Sequence, residues 1–336
     1  MKQFVGGFFL TLLFAASAIA AAGQTPEAKS GMPDLKPLKG TPSLAAATDK
    51  DHFVFIAAGD NRPPSEKDPQ VKEVKKIFED VKKQAPAFVL WTGDTVYGKN
   101  PDNPKKIDEE YEEFLGIAAT GGVAVYNAPG NHEMAQHDNC PNKTMLKLYL
   151  ANTAQDEPYG AFTYGNSRFI ALNSDDDEGS PPAECDCTKQ AKDTKPPGFI
   201  SKAQRKLLEA DLDANTDKAH IFIFMHRPIE GYKGEDQLCA KNVTDLKDLF
   251  KKYKNISYVV AGHQHMYYNP QGPEKFGPPP DRTDPGQPPY YLVSGGAGAP
   301  LKKKGFYHYL IFTVDGAKVS VQVVPLEEKT ETKQSQ

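Results

Sequence analysis

The sequence predicts a layered α/β fold from two observations: its apolar residues fall in short continuous runs rather than alternating ones, and stretches of helical period separate several of those runs. A continuous apolar run fits a strand covered on both faces, whereas a strand with one wet face alternates. Such runs lie at 53–58, 87–91, 123–126, 168–172, 220–225, 256–261 and 290–293. Helices are expected over 70–84, 107–118, 201–215 and 245–253. Residues 307–313 and 318–324, either side of Asp315-Gly316, read as a hairpin. With 39% hydrophobic residues, the 336-residue chain can bury a sizeable core.

The flanks read differently. Residues 1–22 carry Lys2, an apolar stretch from Phe4 to Ala16 and small residues ending in Ala18-Ile19-Ala20 or Ala20-Ala21-Ala22. That pattern is a secretory signal peptide, and the apolar stretch is short for the alternative of an uncleaved membrane anchor. Residues 23–50, rich in Pro, Gly, Ala and Lys, read as a linker, 51–326 as one domain and 327–336 as a polar tail. A secreted or periplasmic protein follows, with no membrane attachment after cleavage. The net charge of −4 leaves no footprint for nucleic acid, so small anions must be attracted locally. Nothing in the sequence names a protein partner.

All four cysteines lie beyond the leader, where an oxidising compartment favours disulfides. Cys185 and Cys187 are too close to pair comfortably with each other, so each is expected to bond Cys140 or Cys239, in either arrangement. A Cys185-x-Cys187 metal site is the alternative. The segments 173–198 and 269–289 are long for loops and read as lids or solvated excursions. The run Asp175-Asp176-Asp177-Glu178 lacks the spacing of a calcium loop and is expected in solvent.

The chemistry sits at the ends of the runs. Five end in Gly59-Asp60-Asn61-Arg62, Gly93-Asp94-Thr95-Val96-Tyr97, Gly130-Asn131-His132-Glu133, His226-Arg227-Pro228 and Gly262-His263-Gln264-His265. Ligands of open α/β sheets gather at the carboxyl ends of strands, so parallel strands would bring these clusters to one edge. Singly, Asp60 reads as a cap, His226 as a core histidine and Asn131 as a turn residue. Together they offer carboxylates, an amide and imidazoles, which suit borderline and hard metals.

On these motifs the chain resembles the calcineurin-like metallophosphoesterases, over residues 53–324, most specifically at Gly130-Asn131-His132-Glu133 and Gly262-His263-Gln264-His265. The resemblance implies an αββα fold, a double β-sheet sandwich flanked by helices with the site at one sheet edge. It implies two metals bridged by Asp94, the first also held by Asp60 and His265, the second by Asn131, His226 and His263, with Asn131 and His226 also near the substrate. It further implies hydrolysis of a small phosphorylated substrate by a metal-bound hydroxide, with His132 beside the scissile phosphate assisting the leaving group.

One departure matters: Arg62 stands where most of the family has a metal-binding histidine. Tyr97, three residues after Asp94, matches the purple acid phosphatase branch, in which that tyrosine ligates iron(III) and the histidine is likewise missing. The resemblance thus implies Fe(III) paired with Zn, Mn or Fe as the divalent ion, and Asp60, Asp94 and Tyr97 would supply hard anionic oxygens for it. Tyr97 read as packing at a loop mouth is the alternative. Arg62 would either bind phosphate oxygens or form a surface ion pair. Phosphomonoester hydrolysis leads, followed by phosphodiester hydrolysis at the same site and by a non-catalytic metal- or phosphate-binding protein. A metalloprotease or amidase reading comes last, because it lacks the His-Glu-x-x-His signature: Met134-Ala135-Gln136 follows His132-Glu133.

Overall fold

The computed structural model describes Met1 and residues 31–176, 179, 181–190, 196–234, 236–284 and 286–326. The expected signal peptide beyond Met1, the tail at 327–336, and Asp177 and Glu178 lie outside the described residues. The chain runs β1 (His52–Ala58), α1 (Lys72–Gln84), β2 (Phe88–Trp91), α2 (Pro104–Ala119), β3 (Ala124–Asn127), α3 (Asn131–Met134), α4 (Lys143–Thr153), β4 (Gly160–Tyr164) and β5 (Ser167–Leu172). It continues with α5 (Lys202–Ala214), β6 (His220–Met225), α6 (Ala240–Phe250), β7 (Ile256–Ala261), β8 (Tyr267–Tyr268), β9 (Tyr290–Ser294), β10 (His308–Asp315) and β11 (Lys318–Pro325).

Two mixed sheets result, ordered β11-β10-β1-β2-β3 and β4-β5-β6-β7-β9-β8. Within the first, β1, β2 and β3 are parallel; within the second, β5, β6, β7 and β9 are parallel. The continuous apolar runs follow from four layers. On β1, Phe53, Phe55 and Ala57 face the other sheet, while Ile56 and Ala58 pack with Val74, Ile77 and Phe78 of α1. On β6, Phe222 and Phe224 face inward, while Ile221, Ile223 and Met225 pack with Leu208 and Leu212 of α5 and Leu246 of α6. Both faces of a central strand are therefore dry, and the sandwich flanked by helices is the fold that the motifs implied.

Phe55 is the hub between the sheets. Its ring stacks on Phe88 and Phe312 at 5.3 and 4.7 Å and meets Phe169 and Phe222 edge-on at 5.2 and 5.0 Å.

Several expectations change. Residues 31–50 do not hang free as part of a linker: Met32, Leu35 and Leu38 are buried, and Leu38 donates its N–H to the Val125 carbonyl at 2.7 Å. This segment packs as irregular backbone, which carries no periodic signal. The acidic run is not solvated where it is described: Asp175 is buried against Arg227, and Asp176 accepts from the Gln204 amide at 2.9 Å. The helix expected from 245 begins at Ala240, and β4, β8, α3 and α4 are additional. The disulfides are Cys140–Cys187 and Cys185–Cys239, one of the two arrangements left open.

Replacing Phe55, which is fully buried, with Ala removes five ring contacts, drawn from both sheets, at once. A loss of about 3–5 kcal/mol is expected, read as a clear drop in the urea or thermal unfolding midpoint; an unchanged midpoint would contradict its place as the hub.

Candidate metal centre

The exits of β1, β2 and β3 in one sheet and of β6 and β7 in the other emerge at a common end of the sandwich. The centre is therefore shared between the edges of two sheets rather than lying at the edge of one. The exits are laced together by backbone: Asp60 N–H donates to Gly93 O at 2.9 Å, Arg62 N–H to Asp94 O at 2.8 Å and Gly262 N–H to His226 O at 2.9 Å.

Two donor sets form, Asp94 with His226 and His263, and Asp60 with Asp94 and His265, each with ligand atoms within 4.8 Å of one another. Asp94 belongs to both. In the first set, His226 Nε2 lies 3.2 Å from Asp94 Oδ1, 3.0 Å from His263 Nδ1 and 3.1 Å from Asn131 Oδ1. In the second, His265 Nε2 lies 3.4 Å from Asp60 Oδ1. The ring orientations are held from behind: His226 Nδ1 faces the Thr92 carbonyl and His265 Nδ1 the Pro300 carbonyl, each at 2.8 Å. With those nitrogens protonated, both Nε2 lone pairs point inward, the tautomer a metal ligand requires. Inward-facing lone pairs on carboxylates, imidazoles and an amide oxygen repel one another and are satisfied together by cations, so this donor set fits two metal ions. The carboxyls show the same need. Burial and the Asp94 charge push Asp60 well above the usual range. Burial acts to raise Asp94 too, but His226, His132 and Arg62 outweigh it and hold Asp94 low.

Four of these ligands, Asp60, Asp94, His263 and His265, have positive φ (64°, 52°, 70° and 46°). Such angles are uncommon outside glycine and cluster at functional sites. Gly93, itself at φ 88°, has no room for a side chain, since a Cβ would stand 2.4 Å from Gly130 N. A Cβ on Gly262 would stand 2.2 Å from Asp60 Oδ2.

His132 lies beside the shared carboxylate, with its N–H on Asp94 Oδ1 at 3.1 Å and its Nε2 4.0 Å from Asp94 Oδ2. Its Nδ1 meets the Tyr97 carbonyl at 2.5 Å, so Nε2 is the nitrogen left for a substrate. Burial holds this imidazole below its usual range. Arg62 points inward rather than to the surface: its Nε is 3.6 Å from Asp94 Oδ2 and, among the described residues, has no hydrogen-bond partner. Tyr97 packs on the neighbouring imidazole. Its half-buried ring lies edge-on to His132 at 5.8 Å, and it does not line the cavity over the centre.

That cavity, about 330 Å³, is lined by Asp94, Asn131, His132, His263 and His265 and by the cations Arg62, Lys99, Arg227 and Lys302. The sequence singled out only Arg62 among these cations; Arg227 was within reach, adjacent to His226. Glu133 also had no role assigned. It is fully buried, and its two oxygens accept from the N–H groups of Asp94 (3.0 Å), Thr95 (2.5 Å) and Gly130 (2.8 Å) and from the Thr95 hydroxyl (2.7 Å). Burial and the nearby Asp94 raise it to about 7.

The family model for calcineurin-like phosphoesterases matches residues 51–267. No curated protein sequence matches the chain. Among solved structures, a dimetal phosphatase from Danio rerio is similar with a TM-score of 0.57 at 14% identity, over 81% of this chain and 96% of that one. PhoD is similar with a TM-score of 0.52 at 12% identity, over 82% and 66% of the two chains. GAP50, the anchor in the inner membrane complex of Plasmodium, is similar with a TM-score of 0.50 at 11% identity, over 83% and 90%. Identities this low establish the shared fold.

Glu133→Gln puts an NH₂ donor among four donors. Leaving buried N–H groups unpaired costs about 1–3 kcal/mol each, so the variant is expected to melt at lower temperature and to bind less metal by elemental analysis. Wild-type values for both would show that this carboxylate does not organise the centre.

Proposed function

The chain belongs to the calcineurin-like phosphoesterase family, and from that premise we propose that it hydrolyses phosphate monoesters, an acid phosphatase-like activity. One observation carries the proposal: side chains from four strand exits on two sheets form two donor sets joined at Asp94, with Asn131 from a fifth exit against His226. When bound, a metal pair lowers the pKa of coordinated water from about 15.7 to roughly 7 and polarises phosphoryl oxygens. In this reading Asp60, Asp94 and His265 hold one ion, and Asn131, His226 and His263 hold the other with Asp94.

The chain's own residues do the rest. Arg62 presents a planar charged fork to non-bridging phosphate oxygens, with its neutralisation of Asp94 passing to the metals. His132, oriented by the Tyr97 carbonyl, directs Nε2 at the leaving oxygen; burial alone disfavours its charged form, so the negative charge of the bound phosphate has to restore the imidazolium, whose Nε2 proton then goes to the leaving oxygen, general-acid help of about 10²–10⁴-fold. Asn131 lines the cavity and so can also meet the substrate, whereas His226, fully buried and outside the lining, would serve the ion. The surplus of cations around a small cavity supports a monoester, which carries nearly two negative charges at neutral pH, over a singly charged diester.

The finer assignment concerns the first ion. We infer Fe(III) there with Zn, Mn or Fe as the divalent partner, supported by the hard oxygens of Asp60 and Asp94, the absence of a histidine at position 62, and the Asp94–Tyr97 spacing. The two disulfides fit an oxidising compartment, consistent with a leader at 1–22 and a secreted or periplasmic location. Among the described residues no helix is long and apolar enough to cross a membrane.

Purified, metal-loaded protein should turn over para-nitrophenyl phosphate faster than its bis-ester, and His132→Ala should keep its metals while losing about 10²-fold or more in kcat. Dominant turnover of the bis-ester would shift the assignment to a phosphodiesterase. Inactivity with iron, zinc and manganese all supplied would leave a binding protein, a role the fold does not exclude, since it is shared with an anchor.

Protein loaded with iron should show a visible tyrosinate charge-transfer band that Tyr97→Phe abolishes. Full activity in a colourless protein holding only divalent ions would remove the iron assignment and leave the phosphoesterase one intact.

A further inference from the structure

Three of the four cations over the metal centre are not needed for the reaction as described. Arg62 already serves the scissile phosphate, with the two ions, Asn131 and His132. Lys99, Arg227 and Lys302 line the same cavity from other directions, and each is fixed in place by the frame of the site. Lys99 follows the second motif and donates its backbone N–H to the His132 carbonyl at 3.2 Å, with Nζ on Asn139 Oδ1 at 2.5 Å. Lys302, in the loop between β9 and β10, donates its backbone N–H to the His265 carbonyl at 3.2 Å, with Nζ on Asp236 at 2.7 Å. Arg227 is 2% exposed, holds Asp175 through Nε at 2.8 Å and the Pro196 carbonyl through Nη1 at 3.2 Å. Among the described residues its Nη2 has no hydrogen-bond acceptor, although the side chain borders the cavity.

Among the described residues the carboxylates leave one cation of this set, Lys99, without a counterion of its own. Asp175 and Asp236 are matched to Arg227 and Lys302, Asp60 and Asp94 are committed to the ions, and Lys99 has only the neutral Asn139 at its ammonium. A cationic group held near a desolvated cavity without its own counterion needs an anion from outside. A lone phosphate over the metals leaves that requirement unmet. The cavity, about 330 Å³, is at the small end of ligand sites, so the second anion must belong to the same compact molecule.

We propose that Lys99, Arg227 and Lys302 form a second anion subsite beside the metal centre, and that the substrate is a compact molecule with two phosphate groups, a diphosphate or a small bisphosphate, one cleaved and the other held by these cations. This rests on the phosphoesterase reading for which group is cleaved, but the subsite itself can be tested without turnover.

Two measurements on the metal-loaded, full-length protein separate the two claims. The first is calorimetric binding of pyrophosphate against orthophosphate. The second is kcat/KM for a hexose bisphosphate against the matching monophosphate. Pyrophosphate is expected to bind at least about tenfold more tightly, and the bisphosphate to be preferred by a similar factor, the equivalent of about 1.4 kcal/mol. Lys302→Ala and Lys99→Gln should each pull both ratios toward one, while Lys302→Arg, which keeps the charge, should retain them. Lys302 is a third exposed, so these variants test charge rather than folding. Turnover of both sugars with a calorimetric ratio near one, or ratios that the lysine variants leave unchanged, overturns the subsite alone. Tight, lysine-dependent pyrophosphate binding with no turnover of either sugar overturns the phosphoesterase reading and leaves the subsite standing.

Discussion

Everything at the metal centre depends on one buried carboxylate that touches no substrate. β2 and β3 are parallel neighbours in register from Phe88 with Ala124 to Trp91 with Asn127, so their exits leave the sheet side by side with several backbone N–H groups unpaired. Glu133, in the first turn of α3, reaches back to the Gly130 N–H in the manner of a capping box and across to Asp94 and Thr95. A buried carboxylate is tolerated only when its lone pairs are filled, and four donors fill these. The reciprocal effect is that Asp94 has its backbone pinned on one side by Glu133 while its carboxylate accepts from the His132 N–H on the other. The shared ligand and the neighbouring imidazole are thus set by one network rather than by two independent loops.

That network holds backbone in a conformation the chain would otherwise avoid. Positive φ at Asp60, Asp94, His263 and His265 turns each side chain back over the end of its own strand, where it meets ligands from the opposite sheet. Each such residue costs of order 1–3 kcal/mol, and the expense is sustained only where the surroundings fix the geometry. Here they do. The strands feeding the site are dry on both faces, packed through Phe55 and its ring partners inward and through α1, α2, α5 and α6 outward. The glycines at 93 and 262 let neighbouring exits approach closer than any side chain would allow. Stability stored in the sandwich is converted into precision at its end.

The same physics decides what could be read in the sequence. Strands buried on both faces write themselves as continuous apolar runs, and five of them end in polar clusters, so most of the fold was legible, as were the six residues that the fold brings together as candidate donors: Asp60, Asp94, Asn131, His226, His263 and His265. β4 was not, because Ala161, Phe162 and Tyr164 form only a short, edge-placed pattern. α4 was missed because its buried stripe is just Met145, Tyr149 and Thr153, although Asn142 caps it by accepting from the N–H groups of Thr144 and Met145. Residues 31–50 pack through irregular backbone that has no period to detect. Lys99, Lys302 and Asp236 come from loops whose convergence is tertiary. Tyr97 was singled out by its spacing from Asp94, and the fold rests its ring edge-on against His132.

The cation-bearing wall of the cavity raises a separate question, because it lies outside the sandwich and has almost no core of its own. The apolar cluster beneath it is Cys185, Phe199 and Cys239. What holds it is covalent. Cys140–Cys187 and Cys185–Cys239 span 47 and 54 residues in sequence, and in a chain-entropy account closing loops of that length restricts the unfolded state by about 4 kcal/mol each. Cys140 directly follows Asn139, the partner of Lys99, and Cys239 caps α6 just beyond Asp236, the partner of Lys302. The stapled loop also carries Asp175 and Pro196, which together hold Arg227. The two bonds therefore fix the partners of all three distal cations at places where hydrophobic burial is too thin to do so. A Cys-x-Cys pair split between two different elements is an economical way to achieve that, since one short turn at 185–187 ties the loop to both sides of the cavity at once.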